Sequence, residues 1–339
     1  MTSIKNKLST IFRNASPAVY IIAEIGINHE GSADRCAKLI RDSAIAGADA
    51  VKLQTVDASK SYARDTDSYE VFSKSALSKS ETAKMFQLAR DCGVEVFTTS
   101  GDLQTLNWVN KLNPSAHKIS SGLLSCLPIV REVCKLGKPV ILSTGMSNIA
   151  AIDRSVGIAS QSSCDTALLQ CTSLYPCPID KINLRSINNL HERYDLPVGL
   201  SDHSLGVDVA PLAVVAGSRL LEKHITFDKN RPGFDHSISI ETEEFAEMVT
   251  LVRQAERALG RADKSVDNMV LAQAHKYERR LAAAYDLAVG HILSIDDLLF
   301  MRFPSDVEAI VSYEADIVVD KQINTPVLTG QPIKWQYLS

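Results

Sequence analysis

Two lysines stand inside short apolar runs of a mildly acidic chain: Lys52 in Val51-Lys52-Leu53-Gln54-Thr55, and Lys118 in His117-Lys118-Ile119-Ser120-Ser121. A single lysine in such a run ordinarily turns its ammonium to solvent. The pair acquires chemical meaning if the fold brings both to one place. Hydroxyls recur in the same kind of position, at or just after apolar runs: Ser100, Ser120, Ser121, Ser143, Ser173 and Ser201. Two ammonium groups, several hydroxyls and the N–H donors of nearby helix starts would cradle a phosphate and a carboxylate. No GxxxxGK[ST] loop occurs, so a nucleotide-binding P-loop is not indicated.

Two imidazoles follow the same rule. His203 closes Gly199-Leu200-Ser201-Asp202-His203 and His224 closes Leu221-Glu222-Lys223-His224. They are not at ligand spacing on one helix, and a lone histidine is more often a packed or surface residue. Brought together, they could share a divalent cation acting as a Lewis acid, Mn2+ first, with Mg2+ or Co2+ as alternatives. Asp235, in Arg231-Pro232-Gly233-Phe234-Asp235-His236, would join them or hold substrate hydroxyls. A retro-aldolase or sugar isomerase could also use two histidines and a metal, but neither needs a two-lysine anion cradle. No GxSxG elbow suggests a serine hydrolase.

The elements that must position these groups are legible in the hydrophobic pattern. Short, mostly apolar, β-rich runs occupy residues 20–25, 50–54, 95–99, 117–119, 140–143, 167–170, 198–201 and 219–224. Each reads as a strand buried on both faces. Helical stretches lie between them, among them 32–46, 79–92, 127–136 and 242–259, and the last three stop at Gly93, Gly137 and Gly260. Eight such units predict an α/β fold, a (β/α)8 TIM barrel, with an open doubly wound sheet as the competing topology. In a barrel the C-terminal strand ends share one cup, and the polar residues above all fall at those ends.

The expected organisation is a barrel domain over residues 1–262, a polar linker over 263–277 and a small, mostly β domain over 278–339. About sixty residues make a marginal core alone, so the small domain is expected to lean on a barrel. A formal net charge of −4 gives no global basic field for nucleic acid. The seven cysteines are irregularly spaced without a CxxC pair, which predicts free thiols rather than a zinc ribbon or disulfide framework. No apolar run reaches the roughly 20 residues of a membrane span. The basic segment 1–17 lacks a secretory core and reads as a frayed tail rather than a transit peptide. A cytoplasmic protein is expected.

At this point the motifs resemble a known family. Ala23-Glu24-Ile25-Gly26-Ile27-Asn28-His29-Glu30-Gly31 is similar to the opening motif of N-acetylneuraminate (sialic acid) synthases and their legionaminic and pseudaminic acid relatives. The runs around Lys52, Leu142-Ser143-Thr144-Gly145-Met146, Gln170-Cys171-Thr172-Ser173-Leu174-Tyr175-Pro176 and those ending in His203 and His224 are similar too, in the same order. The likeness spans nearly the whole chain. The final domain resembles that family's antifreeze-like (SAF) domain.

The resemblance implies a transferase that joins phosphoenolpyruvate to the aldehyde of an open-chain N-acetylated amino-sugar and releases phosphate by C–O cleavage. It implies that Lys52, Lys118, Ser120 or Ser121, Ser143 and Ser201 hold phosphoenolpyruvate and that His203 and His224 bind the metal. Glu24, Gln54, Tyr175 and Asp235 would face the sugar, so Glu24, Lys52, Lys118 and Gln54 are the catalytic candidates. The family forms homodimers in which the SAF domain covers the partner barrel, with Arg302 nearest to the arginine that reaches the partner's sugar.

The departures cluster toward the sugar. Leu123 stands where the family usually carries an acidic residue, Ser173 where asparagine is common, and Thr99-Ser100-Gly101-Asp102 replaces a Ser-Thr-Pro-Phe run. The loop between Val56 and Ser78 reads as shorter, and Phe303 occupies the register of the family arginine. The donor is therefore set more firmly than the acceptor, for which N-acetylmannosamine and a 2,4-diacetamido hexose both stand. Two other readings remain: a divergent barrel that binds an anion and a metal without turnover, and a carbohydrate-binding or assembly role for the small domain.

Overall fold

The structure is a computed structural model that describes residues 7–12, 18–162 and 164–339. The chain divides into two compact units, Met1–Gly260 and Arg261–Ser339.

In the first unit eight parallel strands close on themselves in chain order: β1 (Tyr20–Gly26), β2 (Ala50–Thr55), β3 (Glu95–Ser100), β4 (His117–Ile119), β5 (Val140–Ser143), β6 (Thr166–Cys171), β7 (Val198–Asp202) and β8 (Leu220–His224). β1 bonds to both β2 and β8, so the expected barrel forms and the open sheet is excluded. Side chains alternate between two apolar compartments. Tyr20, Ile22, Ala50, Phe97, Ile141, Leu169 and Leu220 fill the barrel interior. Ile21, Ala23, Val51, Val96, Leu142 and Leu200 pack outward against the helices.

The interior has little room. A Cβ on Gly199 would stand 2.2 Å from the backbone oxygen of Leu220 and 2.8 Å from Cδ2 of Leu169. Only glycine lets β7 lie this close to β8.

Helix starts carry the predicted chemistry. Ser32 caps Ala33–Ile45, and Ser78 forms a reciprocal capping box with Glu81 at the start of Lys79–Asp91. The expected frayed tail is corrected in part. Lys7–Phe12 is a helix whose Leu8 and Ile11 are buried with the interior cluster. Its first N–H groups donate to Glu95 Oε1 at 2.7 and 3.3 Å, and Lys7 Nζ reaches Asp49 at 2.7 Å. A carboxylate thus satisfies orphan donors of a helix N-terminus while two apolar side chains plug the barrel floor. Residues 1–6 and 13–17 lie outside the described residues.

The second unit has its own core, including Leu281, Leu287, Leu293, Val318, Ile323 and Ile333. Its named strands, β9 (Arg280–Ala283) and β10 (Leu298–Met301), pair antiparallel, with isolated bridges around them. Two expectations fail. Asn268–Tyr277, within the stretch read as a linker, is a helix capped by Asp267. The run 315–319, read as β-like, begins as the helix Ala315–Val318. An apolar run of four or five residues fits one helical turn as well as a strand, and periodicity cannot separate them. All seven cysteines are free, as expected. Among the described residues no helix is long and apolar enough to cross a membrane.

Candidate active site

The alternation that fills the barrel floor with apolar groups places charged ones above them. Two residues beyond Ile22 comes Glu24, and two beyond Ala50 comes Lys52. Beyond Ile141 comes Ser143, beyond Gly199 Ser201, and beyond Leu220 Glu222 and then His224. Lys223, of opposite parity, points to the other face and pairs with Asp202 at 2.7 Å.

These groups line one cup of about 520 Å3 at the C-terminal strand ends. Lys52 Nζ sits 2.7 Å from Glu24 Oε2 and 3.7 Å from Glu222 Oε2. Lys118 Nζ sits 3.2 Å from Glu222 Oε1, which also accepts from Ser201 Oγ at 3.0 Å. Gln54 Nε2 donates to Glu24 Oε1 at 2.9 Å. Both lysines therefore converge on one carboxylate. All four ionisable groups are buried, which opposes charge on each. Burial dominates for Lys118, whose pKa is lowered. Lys52 feels the same burial, but Glu222 and Glu24 outweigh it and its pKa is raised. For Glu222, Lys118 and Lys52 overcome burial and hold the carboxyl down at about 2. Glu24 goes the other way: burial, reinforced by Glu222, raises it against the pull of Lys52.

Ser120, Ser121, Ser143, Ser173, Tyr175 and Asp235 also line the cup. Ser143 Oγ is buried without a hydrogen-bond partner, a position that a ligand oxygen would satisfy. Tyr175 lies over His203, ring centroids 4.3 Å apart. The rings of His203 and His224 are 5.5 Å apart.

The imidazoles fit a shared divalent cation. His203 Nδ1 lies 3.1 Å from the Thr172 carbonyl, which assigns a proton to Nδ1; against burial, Cys171 at 3.8 Å and this carbonyl raise the His203 pKa, so Nε2 must shed any proton to act as a ligand. His224 Nδ1 is buried without a hydrogen-bond partner, 3.7 Å from Asp235 Oδ2. Burial pushes the His224 pKa down to about 3, so the ring is neutral, as a ligand must be. Among the described residues no group of three or more His, Cys, Asp or Glu side chains is arranged to hold a metal. The groups that could hold one are two imidazoles, with Asp235 alongside.

One sequence expectation is not met in the cup. Ser100 is buried at the end of β3 but does not line it, because its neighbour Thr99 takes the inward parity. Arg302 belongs to the second unit, where its exposed guanidinium lies 5.5 Å from the Tyr277 ring.

Other contributors were given no role from the sequence. Glu222, at the centre of the charge network, is one more polar residue in a strand. Val71 and Phe72 come from the helix Asp67–Ser75, inside the 56–78 segment read as a short loop. Asn28 positions Asp235. Its Oδ1 accepts from the Asp235 N–H at 3.1 Å, and its Nδ2 donates to Ile225 O and Ser239 Oγ. Glu30 anchors the same loop through Arg231 at 2.6 Å and His236 at 3.0 Å.

A closed parallel barrel with a buried lysine–carboxylate network and two imidazoles in its C-terminal mouth defines a (β/α)8 enzyme of the kind that handles small anions. The sequence assigns it further. The NeuB family pattern matches residues 39–264, and the chain belongs to that family. It is 31% identical over 307 residues to the N,N'-diacetyllegionaminic acid synthase of Campylobacter jejuni, covering 86% of this chain and 92% of that one. The corresponding synthase of Legionella pneumophila is 32% identical over 345 residues, 96% of each chain. Among solved structures, the N-acetylneuraminic acid (sialic acid) synthetase of Leptospira borgpetersenii serovar Hardjo-bovis, in complex with citrate, superposes with a TM-score of 0.73. The two are 28% identical, and the match covers 76% of this chain and 90% of that one.

Proposed function

We propose that this protein is a nonulosonic acid synthase that condenses phosphoenolpyruvate with an open-chain N-acetylated amino-sugar, N-acetylmannosamine or a 2,4-diacetamido hexose. The observation that carries this reading is the convergence of Lys52 and Lys118 on Glu222, beside His203 and His224, in one cup.

In this reading the two ammonium groups take the phosphate and carboxylate of phosphoenolpyruvate, with the hydroxyls of Ser120, Ser121, Ser143 and Ser201 completing the cradle. Glu24, Gln54, Tyr175 and Asp235 orient the acceptor, and Ser173 contributes a hydroxyl at the rim. His203 and His224 would hold a divalent cation, Mn2+ by preference, which would supply Lewis acidity to the acceptor. The enol carbon of the donor forms the new bond to the aldehyde carbon. The proton taken up by the resulting alkoxide passes through Glu24, which lies 2.7 Å from the Lys52 ammonium. Water adds to the adjacent, phosphate-bearing carbon and returns a proton to the Glu24–Lys52 pair, and phosphate departs from that carbon with the bridging oxygen and the remaining proton. The second unit acts as an SAF domain over the barrel of a partner subunit in a homodimer, and Arg302 reaches the acceptor there. Such an enzyme works in the cytoplasm, where phosphoenolpyruvate is available.

Calorimetry with phosphoenolpyruvate and Mn2+ tests the donor assignment. The reading expects saturable one-site binding that Lys52→Met and Lys118→Met each abolish. Absence of binding by the unaltered protein contradicts it.

A further inference from the structure

Asp202 and Lys223 are cross-strand partners at the last rung of the β7–β8 ladder. Each immediately precedes an imidazole of the cup, His203 or His224. Side chains alternate along a strand. The ion pair therefore lies behind the sheet, and the two rings lie in front of it with centroids 5.5 Å apart. Lys223 and Asp202 are 1% and 3% exposed, and their charges meet at 2.7 Å.

The pair also grips the far side of His203. Asp202 Oδ1 accepts from the Ser204 N–H at 2.8 Å and from the Ser204 hydroxyl at 2.6 Å. Lys223 Nζ donates to the Ser204 carbonyl at 2.6 Å. An aspartate that accepts from the N–H two residues on fixes a tight turn, and His203 is the middle residue of this one. The ring stands one residue past the end of β7, beyond the last ladder pairing with β8. The turn supplies the hold that the ladder no longer gives. Stability alone does not account for such a pair. Burying two charges costs desolvation that their attraction only partly offsets, and replacing both by apolar residues is often neutral. An apolar pair cannot reproduce a directed grip from β8 on the residues either side of His203.

Building on the metal assignment in the synthase reading, we propose that Asp202 and Lys223 are positioning residues that fix His203 relative to His224, so that both rings can share one cation. Neither side chain touches the cup. Their effect passes through the backbone on both sides of His203.

The test titrates Mn2+, followed by electron paramagnetic resonance, into the unaltered protein, His203→Ala, the double variant Asp202→Asn/Lys223→Met, and Ser204→Ala. The double variant leaves no buried charge unpaired and keeps a side-chain oxygen for the Ser204 turn, but it unlinks β8 from the exit of β7. Its Mn2+ Kd should rise about tenfold or more, as when a group that orients a metal ligand is lost. Its metal-free Tm and its metal-free Kd for phosphoenolpyruvate, both read by calorimetry, should stay unchanged. Ser204→Ala deletes one hydrogen bond of the grip and should raise the Mn2+ Kd about threefold; it decides the matter if the double variant does not fold. An unchanged Mn2+ Kd overturns the proposal and leaves the synthase reading standing. Equal weakening of Mn2+ and phosphoenolpyruvate binding also overturns it, because that marks a general structural role. If the unaltered protein binds no Mn2+, or binds it no better than His203→Ala does, the metal assignment itself fails, and the positioning role with it.

Discussion

Glu222 is the residue on which the ligand-free charge balance turns. Its carboxylate is the shared partner of Lys52 and Lys118, both almost fully buried. Breaking a buried ion network by removing one partner costs about 3–5 kcal/mol, because the charges left behind lose their compensation. Glu222→Gln should therefore lower the Tm of the ligand-free protein sharply and enlarge the rise in Tm that phosphoenolpyruvate produces. Differential scanning calorimetry with and without the donor reads both, and an unchanged Tm would contradict the network. Lys118 carries a pH prediction. Burial lowers its pKa, so its ammonium is lost, as pH rises, earlier than that of an ordinary lysine. Donor affinity should fall along that alkaline limb. Lys118→Arg, which stays charged, should move the limb to higher pH in a titration of Kd against pH. The lysines and histidines were legible in the sequence because a charge in a short apolar run needs a reason. Glu222 stands among the polar residues at the strand ends but was given no role from the sequence, since its importance lies in two partners more than a hundred residues away. Ser100 was misplaced because adjacent strand residues face opposite ways, and composition does not show which one faces in.

At the scale of elements, all eight strands were legible, since strands buried on both faces are continuous apolar runs of four to eight residues. Their period of two places Lys52, Ser143, Ser201, Glu222 and His224 in the cup once the barrel is drawn. The 56–78 segment was less readable. Its helices Ala58–Ser61 and Asp67–Ser75 are short and largely polar, and they acquire their role by roofing the mouth rather than by burying a face. Gly199 tests the barrel packing. Gly199→Ala must displace β7 from β8 or distort Leu169, and overpacking of this kind costs about 1–3 kcal/mol. Urea unfolding should show the midpoint falling by that amount, and an unaltered midpoint would contradict the packing described. Asn28 tests the loop that carries Asp235. Asn28→Ala removes three hydrogen bonds and should raise the acceptor KM well above any change in the KM for phosphoenolpyruvate in steady-state assays.

At the scale of the whole molecule, the chain is two units with separate cores. The sequence changes texture after residue 262, whereas the helix Asn268–Tyr277 was hidden by its polar surroundings. The homodimer proposal makes its own prediction. Sedimentation equilibrium should give twice the monomer mass, and Arg302→Ala should weaken the acceptor without altering donor affinity. A monomer with full activity would contradict it.

The central claim is that one cup carries out a condensation in which the donor's bridging oxygen leaves with phosphate. Phosphoenolpyruvate labelled with 18O at that oxygen, turned over with Mn2+ and a diacetamido hexose and followed by mass spectrometry, tests it most directly. The account predicts a nine-carbon acid free of label and inorganic phosphate that carries it. Label retained in the organic product, or phosphate released without a nine-carbon acid, would contradict it.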